Sequence, residues 1–379
     1  MKILVSSSFG IEAVTKRELA TIGIDKAPAY EGRLHIDGDF TTVASANMFL
    51  RTAERVHILL GEFKATTFDE LFDNLLQIPF EEFIGKDGAI VVNAKSRNSV
   101  LFGLSAIQSV GKKAIVNRLM KAYKTATLPE EGVRYNIELS LFKDNVMVSL
   151  DTSGMPLHKR GYRDKVWTAP IKETLASALI MLSVWNKDRA FIDPFCGSGT
   201  IGIEAAMIGN NIAPGLNRQF AFEDWDMVDK SIMEQTRQKA NDLIDNNQKL
   251  RISGYDIDSR AVSLANYHAE KAGVKVHFET SDMRNIQSKY KYGVIVTNPP
   301  YGERISDNQE IVTLYKDFGK VFASLDEWSA FVIASHDNFE KCFNRKANKN
   351  RKMYNGSIEC RLYSFLGARP PKQLPESDK

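Results

Sequence analysis

Apolar residues recur along this chain with two periods, and changes in their arrangement divide it into segments. KILVSSS is a strand-like run, followed by IEAVTKRELATIG, which has helical spacing and stops at Gly23. GRLHIDG alternates between glycines as a short strand. TVASANMFLRTAERVHILLGEF begins with helical spacing and runs into a strand ending near Phe63. Residues 1–64 therefore predict a small α+β unit that carries no chemical motif. Residues 65–157 predict a second one. There FDELFDNLLQIPFEEFI is an amphipathic helix broken at Pro79, AIVVNAKSRN a strand and SAIQSVGKKAIVNRLMKAYK a long helix. YNIELSLFKDNVMVSLDTSG reads as two alternating strands around Lys143-Asp144-Asn145.

LHKRGYRDKVWTAP, a basic connection with Gly and Pro, leads into a third segment, residues 158–379. Pro170 suits the first turn of a helix that continues through IKETLASALIMLSVW. From Arg189 onward strands and helices alternate. RAFIDPF, RISGYDID, KVHFETSD, YGVIVTNPPY and SAFVIAS are strands with helical runs between most of them, and KMYNGSIECRLYSFLG closes with a hairpin around Asn355-Gly356. This alternation predicts an α/β fold, an open and mostly parallel sheet with helices on both faces. In such sheets the ligand crevice lies at the carboxyl ends of the strands.

Composition adds bounds. A chain of 379 residues, 43% hydrophobic, holds two or three domains with a large core. A net charge of +3, from 50 basic and 47 acidic residues, excludes a global polycation but not a local basic face. Two such stretches exist. Between Val91 and Leu128 lie Lys95, Arg97, Lys112, Lys113, Arg118, Lys121 and Lys124 with no acid. From Lys341 to Lys352 there are six basic residues and no acid. Each is either a phosphate-binding face or a solvated one. Cys196, Cys342 and Cys360 form no CxxC pair, which excludes a zinc ribbon or a disulfide framework, and they suit a reducing cytosol. The N-terminus lacks the apolar core of a signal peptide, and no stretch approaches the ~18 apolar residues of a membrane span. The expectation is a cytoplasmic protein with no membrane partner and no metal.

The unusual residues fall at strand ends. The first strand of the third segment closes in Asp193-Pro194-Phe195-Cys196-Gly197-Ser198-Gly199-Thr200 and runs into a helix. The glycines let backbone approach a ligand closely, which shapes the loop to hold a nucleoside-sized cofactor. The run also matches G-x-G-x-x-G through Gly202, so a dinucleotide fold competes. Against it, Asp193 would repel a pyrophosphate, yet it suits the cationic amino-acid end of S-adenosylmethionine. Glu223 does sit at a dinucleotide-like spacing, so spacing alone leaves both open. The second strand ends in Asp256, an acceptor for two ribose hydroxyls, with Asp258 placed as a helix N-cap. The third ends in Asp282, an acceptor for an adenine amino group, with Ile257 and Met283 as apolar walls.

The fourth ends in Asn298-Pro299-Pro300-Tyr301, followed by Gly302-Glu303-Arg304. Two prolines cannot continue a ladder. They expose the Asn298 side chain and the Pro299 carbonyl, two acceptors for the hydrogens of one exocyclic amine. Tyr301 offers a face for a base taken out of its stack. Cys196 is read as packing, not as a nucleophile.

On DPFCGSGT, NPPYGER, LHKRGYR and APIKETLA, the chain resembles bacterial THUMP-domain RNA guanine-N2 methyltransferases that modify large-subunit ribosomal RNA. The resemblance spans about residues 1–370 and implies three parts. These are a ferredoxin-like unit (1–64), a THUMP RNA-binding domain (65–157) and a Rossmann-like class I methyltransferase domain (158–379). The last would have a mostly parallel seven-stranded sheet ending in an antiparallel hairpin. The resemblance implies S-adenosyl-L-methionine as cofactor. Asp193, Phe195, Gly197, Gly199 and Thr200 would form its methionine loop, Asp256 and Ile257 would meet the ribose, and Asp282 and Met283 the adenine. Asn298, Pro299, Pro300 and Tyr301 would hold the guanine amine. The partner would be ribosomal RNA or a pre-ribosomal particle, met by Lys95, Arg97, Lys112, Lys113, Arg118 and Lys121. Arg160, Tyr162 and Arg163 would touch RNA, help close the cofactor pocket, or serve only as a linker. An adenine-N6 methyltransferase, a transfer-RNA guanine-N2 methyltransferase, and an assembly factor with a vestigial site are the competing readings.

Overall fold

The computed structural model describes residues 1–30, 32–165, 170–301, 308–336 and 338–371. Gly302-Glu303-Arg304 of the motif, and residues 166–169 of the basic connection, lie outside them.

The first half of the chain contributes strands β1 (Lys2–Ser7), β2 (Ala29–Tyr30), β3 (Arg33–Asp37), β4 (Ala53–Lys64), β5 (Ala89–Arg97), β6 (Arg134–Phe142) and β7 (Asn145–Asp151). Its helices are α1 (Glu12–Thr21), α2 (Phe40–Phe49), α3 (Phe68–Gln77) and α4 (Leu104–Tyr123). Local chemistry sets the ends. Asp39 and Thr67 open α2 and α3 with reciprocal capping boxes to Thr42 and Glu70. α3 stops at Ile78, ahead of Pro79. The β6–β7 hairpin turns at Lys143 and Asp144, both at positive φ (49° and 62°), the geometry whose twist matches paired strands.

All seven strands join in one sheet of order β2-β3-β1-β4-β7-β6-β5. The expected units 1–64 and 65–157 thus share a single sheet. One compact unit comprises residues 1–7, 16–157 and 218–242, the last including α7 (Lys230–Asp242). On β6, Tyr135, Ile137, Leu139 and Leu141 are buried on the face where α4 packs, while Arg134, Asn136 and Glu138 alternate onto the other face.

The second compact unit comprises residues 8–15, 158–217 and 243–379. Its elements are α5 (Glu173–Leu182), β8 (Phe191–Asp193), α6 (Thr200–Gly209), β9 (Ile252–Asp256), α8 (Ser259–Lys271), β10 (His277–Thr280), β11 (Val294–Thr297), α9 (Asn308–Ser324), β12 (Ser329–Ala334), the short α10 (Phe339–Cys342), β13 (Lys349–Asn355) and β14 (Ile358–Phe365). α5 begins at Glu173, three residues beyond Pro170, where the sequence pattern placed its start. The sheet order is β10-β9-β8-β11-β12-β14-β13. β8 to β12 run parallel, while β14 and β13 are antiparallel. This is the expected α/β sheet of seven strands with a terminal hairpin. One face buries Phe191, Ile252, Val294 and Phe278 with α5, α6 and α8. The other buries Ile192, Ile295, Phe318, Trp328 and Phe343. With both faces covered, polar groups of the parallel strands reach solvent at the strand ends.

Candidate active site

The sheet order places Asp282, Asp256, Asp193 and Asn298 at adjacent carboxyl ends, in that sequence across the sheet. Asp193, 1% exposed, ends β8. Its Oδ1 accepts the Thr297 hydroxyl at 2.6 Å and the Phe195 N–H at 3.2 Å. Burial pushes its carboxyl up to about 7.

The following loop is turned by Gly197 (φ +51°) and Gly199 (φ +84°). A Cβ on Gly199 would lie 2.7 Å from Phe278 and 2.9 Å from Ala265, so the loop presses onto α8. A Cβ on Gly197 would meet nothing within 4 Å, which leaves a cradle there. Ser198 Oγ is buried with no hydrogen-bond partner among the described residues. Its carbonyl accepts from His268 Nδ1 at 3.2 Å. Cys196 is buried, and burial pushes its thiol far up, as a packing residue requires.

Asp256 clamps this loop. One oxygen accepts the Gly197 N–H at 2.9 Å and the other the Asp258 N–H at 3.0 Å. Ile257 is 74% exposed, an uncovered apolar side chain beside the cradle. Asp258 caps α8 through the Arg260 N–H at 2.9 Å, and hydrogen bonds from Arg260 hold its carboxyl down at about 2. Asp282 accepts the Arg284 N–H at 2.8 Å and pairs with its guanidinium at 2.9 Å. Met283 departs from expectation. It is 2% exposed and packed among Ile192, Ile286 and Ile295, so its side chain cannot wall a ring.

At the end of β11 the Tyr301 hydroxyl donates to Asn298 Oδ1, and Asn355 Nδ2 donates to the Tyr301 oxygen at 3.3 Å. The Tyr315 hydroxyl donates to the Pro300 carbonyl at 2.6 Å. Sequence reasoning missed Thr297, His268, Tyr315 and Asn355, and placed Ser198 in the loop without giving its hydroxyl a part. Thr297 was findable as the neighbour of Asn298. The sequence marks Asn355 only as a turn residue.

The connection before α5 is an ionic core. Arg160, 3% exposed, lies 3.6 Å from Glu204, and the Tyr162 hydroxyl donates to Glu204 at 3.1 Å. Arg160 is thus withdrawn from solvent and cannot reach a phosphate. Arg163 lies 3.4 Å from Glu173 and donates to Thr200 Oγ1 at 3.3 Å, at the start of α6, which ties it to the loop instead of to RNA. In the other unit, Arg118 is bound by Glu81 and Lys112 by Glu130 at 2.8 Å. Lys95 pairs with Glu138 at 2.6 Å. Arg97, Lys113 and Lys121 are exposed.

Among the described residues no helix is long and apolar enough to cross a membrane, and no cluster of His, Cys, Asp or Glu could hold a metal. The donors at the strand ends instead fit S-adenosylmethionine. They comprise a buried carboxylate, an open glycine cradle with an orphaned hydroxyl, and an exposed apolar side chain beside a second carboxylate.

Carboxylates closing successive parallel strands around a glycine turn define the class I methyltransferase architecture. The chain belongs to the family described as "RMKL-like, methyltransferase domain", which matches residues 160–364. Residues 2–57 match "RlmL ferredoxin-like domain" and residues 65–151 "THUMP domain". YpsC of Bacillus subtilis (strain 168) is 41% identical over 380 residues, 99% of this chain and 98% of that one. The ribosomal RNA large subunit methyltransferase K/L of Buchnera aphidicola subsp. Acyrthosiphon pisum (strain APS) is 30% identical over 96% of this chain, which spans only 54% of that protein. The crystal structure of SMU.472, complexed with SAH, superposes with a TM-score of 0.93 at 42% identity, covering 98% of this chain and 99% of that one.

Proposed function

We propose that this enzyme transfers a methyl group from S-adenosylmethionine to the exocyclic N2 amine of a guanosine in large-subunit ribosomal RNA or its precursor particle. The observation that carries the reading is Asn298-Pro299-Pro300-Tyr301 at the carboxyl end of β11, one residue beyond the Thr297 that binds Asp193. An RNA substrate is supported by the match to a THUMP domain, and a ribosomal one by the name of the K/L relative.

The cofactor supplies an electrophilic methyl on a sulfonium. Asp193 would face its ammonium group and Asp256 its ribose hydroxyls. Gly197, Gly199 and Thr200 would cradle its amino-acid end beside Phe195. Ile257 would lie against its base, and Asp282 would accept from the adenine amine after exchanging Arg284 for it. Asn298 Oδ1 and the Pro299 carbonyl would accept the two amine hydrogens of guanine, which turns the nitrogen lone pair out of conjugation and toward the methyl. A carboxamide oxygen has two lone pairs. Tyr301 would take one, fixing which end of the amide faces the substrate, and leave the other for the amine. Rate would come mainly from this alignment, and the amine's proton would leave to water.

The test has two arms. Purified Asn298→Ala should bind S-adenosylhomocysteine as the parent does and transfer no methyl; full methylation by this variant would sink the mechanism. Ribosomal RNA from a deletion strain, digested and read by mass spectrometry, should lack one N2-methylguanosine. Loss of N6-methyladenosine instead would give the site to adenine.

A further inference from the structure

The open face of the sheet in the first unit holds a cavity of about 720 Å³, inside the ~300–1,000 Å³ range of small-ligand sites. Strand alternation builds it. Arg55 and His57 on β4, Asn93 and Lys95 on β5, and Arg134, Asn136 and Glu138 on β6 all line it, as does Asp151 of β7, the register partner of His57. They lie opposite the face that carries the apolar core residues of β6.

Its floor is polar yet almost fully buried. His57 is 4% exposed, Asp151 6% and Glu138 8%. The two carboxylates are neutralised in place, Asp151 by Arg55 and Glu138 by Arg33 at 2.9 Å and Lys95 at 2.6 Å. His57 differs. It faces Asp151, Glu138, Arg33 and Arg55, and burial outweighs them and holds it neutral. Its ring has no hydrogen-bond partner among the described residues, although the ring lines the cavity. The ring nitrogens are therefore available to whatever enters the cavity.

A neutral imidazole offers one donor and one acceptor, and the carboxamides of Asn93, Gln108 and Asn136 around it offer both as well. That set recognises a neutral, planar ligand with mixed donors and acceptors on its edge. It does not favour a bare anion on the floor itself, because the cations there, Arg33, Arg55 and Lys95, are already engaged by the two carboxylates. A cation is nevertheless available. Arg134 is exposed and donates to the Asn136 carboxamide at 3.1 Å, with no carboxylate bound to it among the described residues. Asp224, also exposed and lining the cavity, can accept sugar hydroxyls.

We infer that this cavity is a mononucleotide site, taking a base against His57 and the amides and a phosphate at Arg134. The nucleotide is an unpaired one of the RNA substrate. That source rests on the proposed function; the site itself does not.

The test is nuclear magnetic resonance of the full chain labelled at its histidine rings, of which there are six. The four nucleoside 5′-monophosphates and unpaired RNA pentamers are titrated in turn. The His57 ring signals should move with a pentamer at concentrations at least tenfold below any monophosphate. Asn136→Leu and Arg134→Gln should each raise that concentration about tenfold without changing S-adenosylhomocysteine binding, which reports intact folding. Monophosphates acting as well as pentamers would keep the site and assign it to a free nucleotide. A His57 ring unmoved by all of them up to millimolar concentration, or variants that bind as the parent does, would overturn the site. A silent His57 in a protein that methylates RNA refutes this inference alone. A responsive His57 in a protein that leaves RNA unmethylated refutes the proposed function alone.

Discussion

Asp193 is the residue where burial and chemistry conflict most. An unfolded Asp193 ionises near 3.8 and the folded one near 7. Between those values the native state holds a proton that the unfolded state has lost, so stability falls as pH rises, by ~1.4 kcal/mol per pH unit at most. A cationic ligand reverses the preference, because it pairs only with the ionised form. Affinity for S-adenosylhomocysteine should therefore climb by up to about tenfold per pH unit below pH 7 and level off above it. Calorimetry in buffers of different ionisation enthalpy should record a proton released on binding at pH 6. A flat pH profile would remove Asp193 from the ammonium site. Tyr301 makes a second residue-scale claim. Tyr301→Phe frees the Asn298 carboxamide without emptying the pocket, and should lower kcat about tenfold, the ~1.4 kcal/mol of one oriented hydrogen bond. An unchanged kcat would show that Asn298 orients itself. Of this site the strand-end carboxylates and Asn298 are legible, since each closes a strand-like run. Their partners are not. Asn355 meets Tyr301 across 54 positions of sequence, and periodicity carries no information about such contacts. Met283 failed for the same reason, because its side chain's direction is set by packing against Ile192 and Ile295.

At the scale of elements, α4 shows what a charge run hides. Its acid-free sequence left open whether it is a phosphate face or a solvated one. Acids distant in sequence resolve part of that, since Glu81 binds Arg118 and Glu130 binds Lys112. The charges available to RNA on this stretch are then Arg97, Lys113, Lys121 and Lys124. Replacing Lys113 and Lys121 with Gln should flatten the dependence of log affinity on log salt by ~1.4–1.8 units, at ~0.7–0.9 per phosphate contact. Replacing Lys112 should change it little. A slope unmoved by the double variant would make α4 a solvated face. Most strands and helices are legible, the half-exposed ones from a one-sided apolar pattern and β8, β11 and β12 as short apolar runs buried on both faces, while α7 is not; the hairpins are legible because Lys143-Asp144 and Asn355-Gly356 carry turn chemistry. α5 starts later than Pro170 suggests because proline is permitted in a first turn without being obliged to sit there.

For the whole molecule, linear segmentation and compact units diverge. Residues 218–242 fall inside the stretch that matches a methyltransferase domain, yet their contacts place them in the unit built on the first sheet. Arg218 donates to the carbonyls of Pro156 at 2.7 Å and Met155 at 2.5 Å, and the Phe222 N–H to the Thr152 carbonyl at 3.2 Å. Trp225, fully buried, stacks on Tyr135 of β6 at 5.4 Å between ring centroids. No boundary drawn along the sequence captures this, because a hydrophobic run does not declare which core it joins. The consequence is energetic. Trp225→Ala should destabilise the first unit by ~3–5 kcal/mol, the usual range for emptying a large aromatic site. It should do so with S-adenosylhomocysteine affinity intact, because that ligand's proposed donors lie in the second unit. A fragment of residues 1–157 lacks Trp225, Phe222 and α7 and should therefore melt without a cooperative transition. Appending residues 218–242 by a flexible linker should restore one. Cooperative unfolding of the short fragment at the parent's denaturant midpoint would mean that the sheet closes its core without them, and that the sequence boundary at 157 is also a folding boundary.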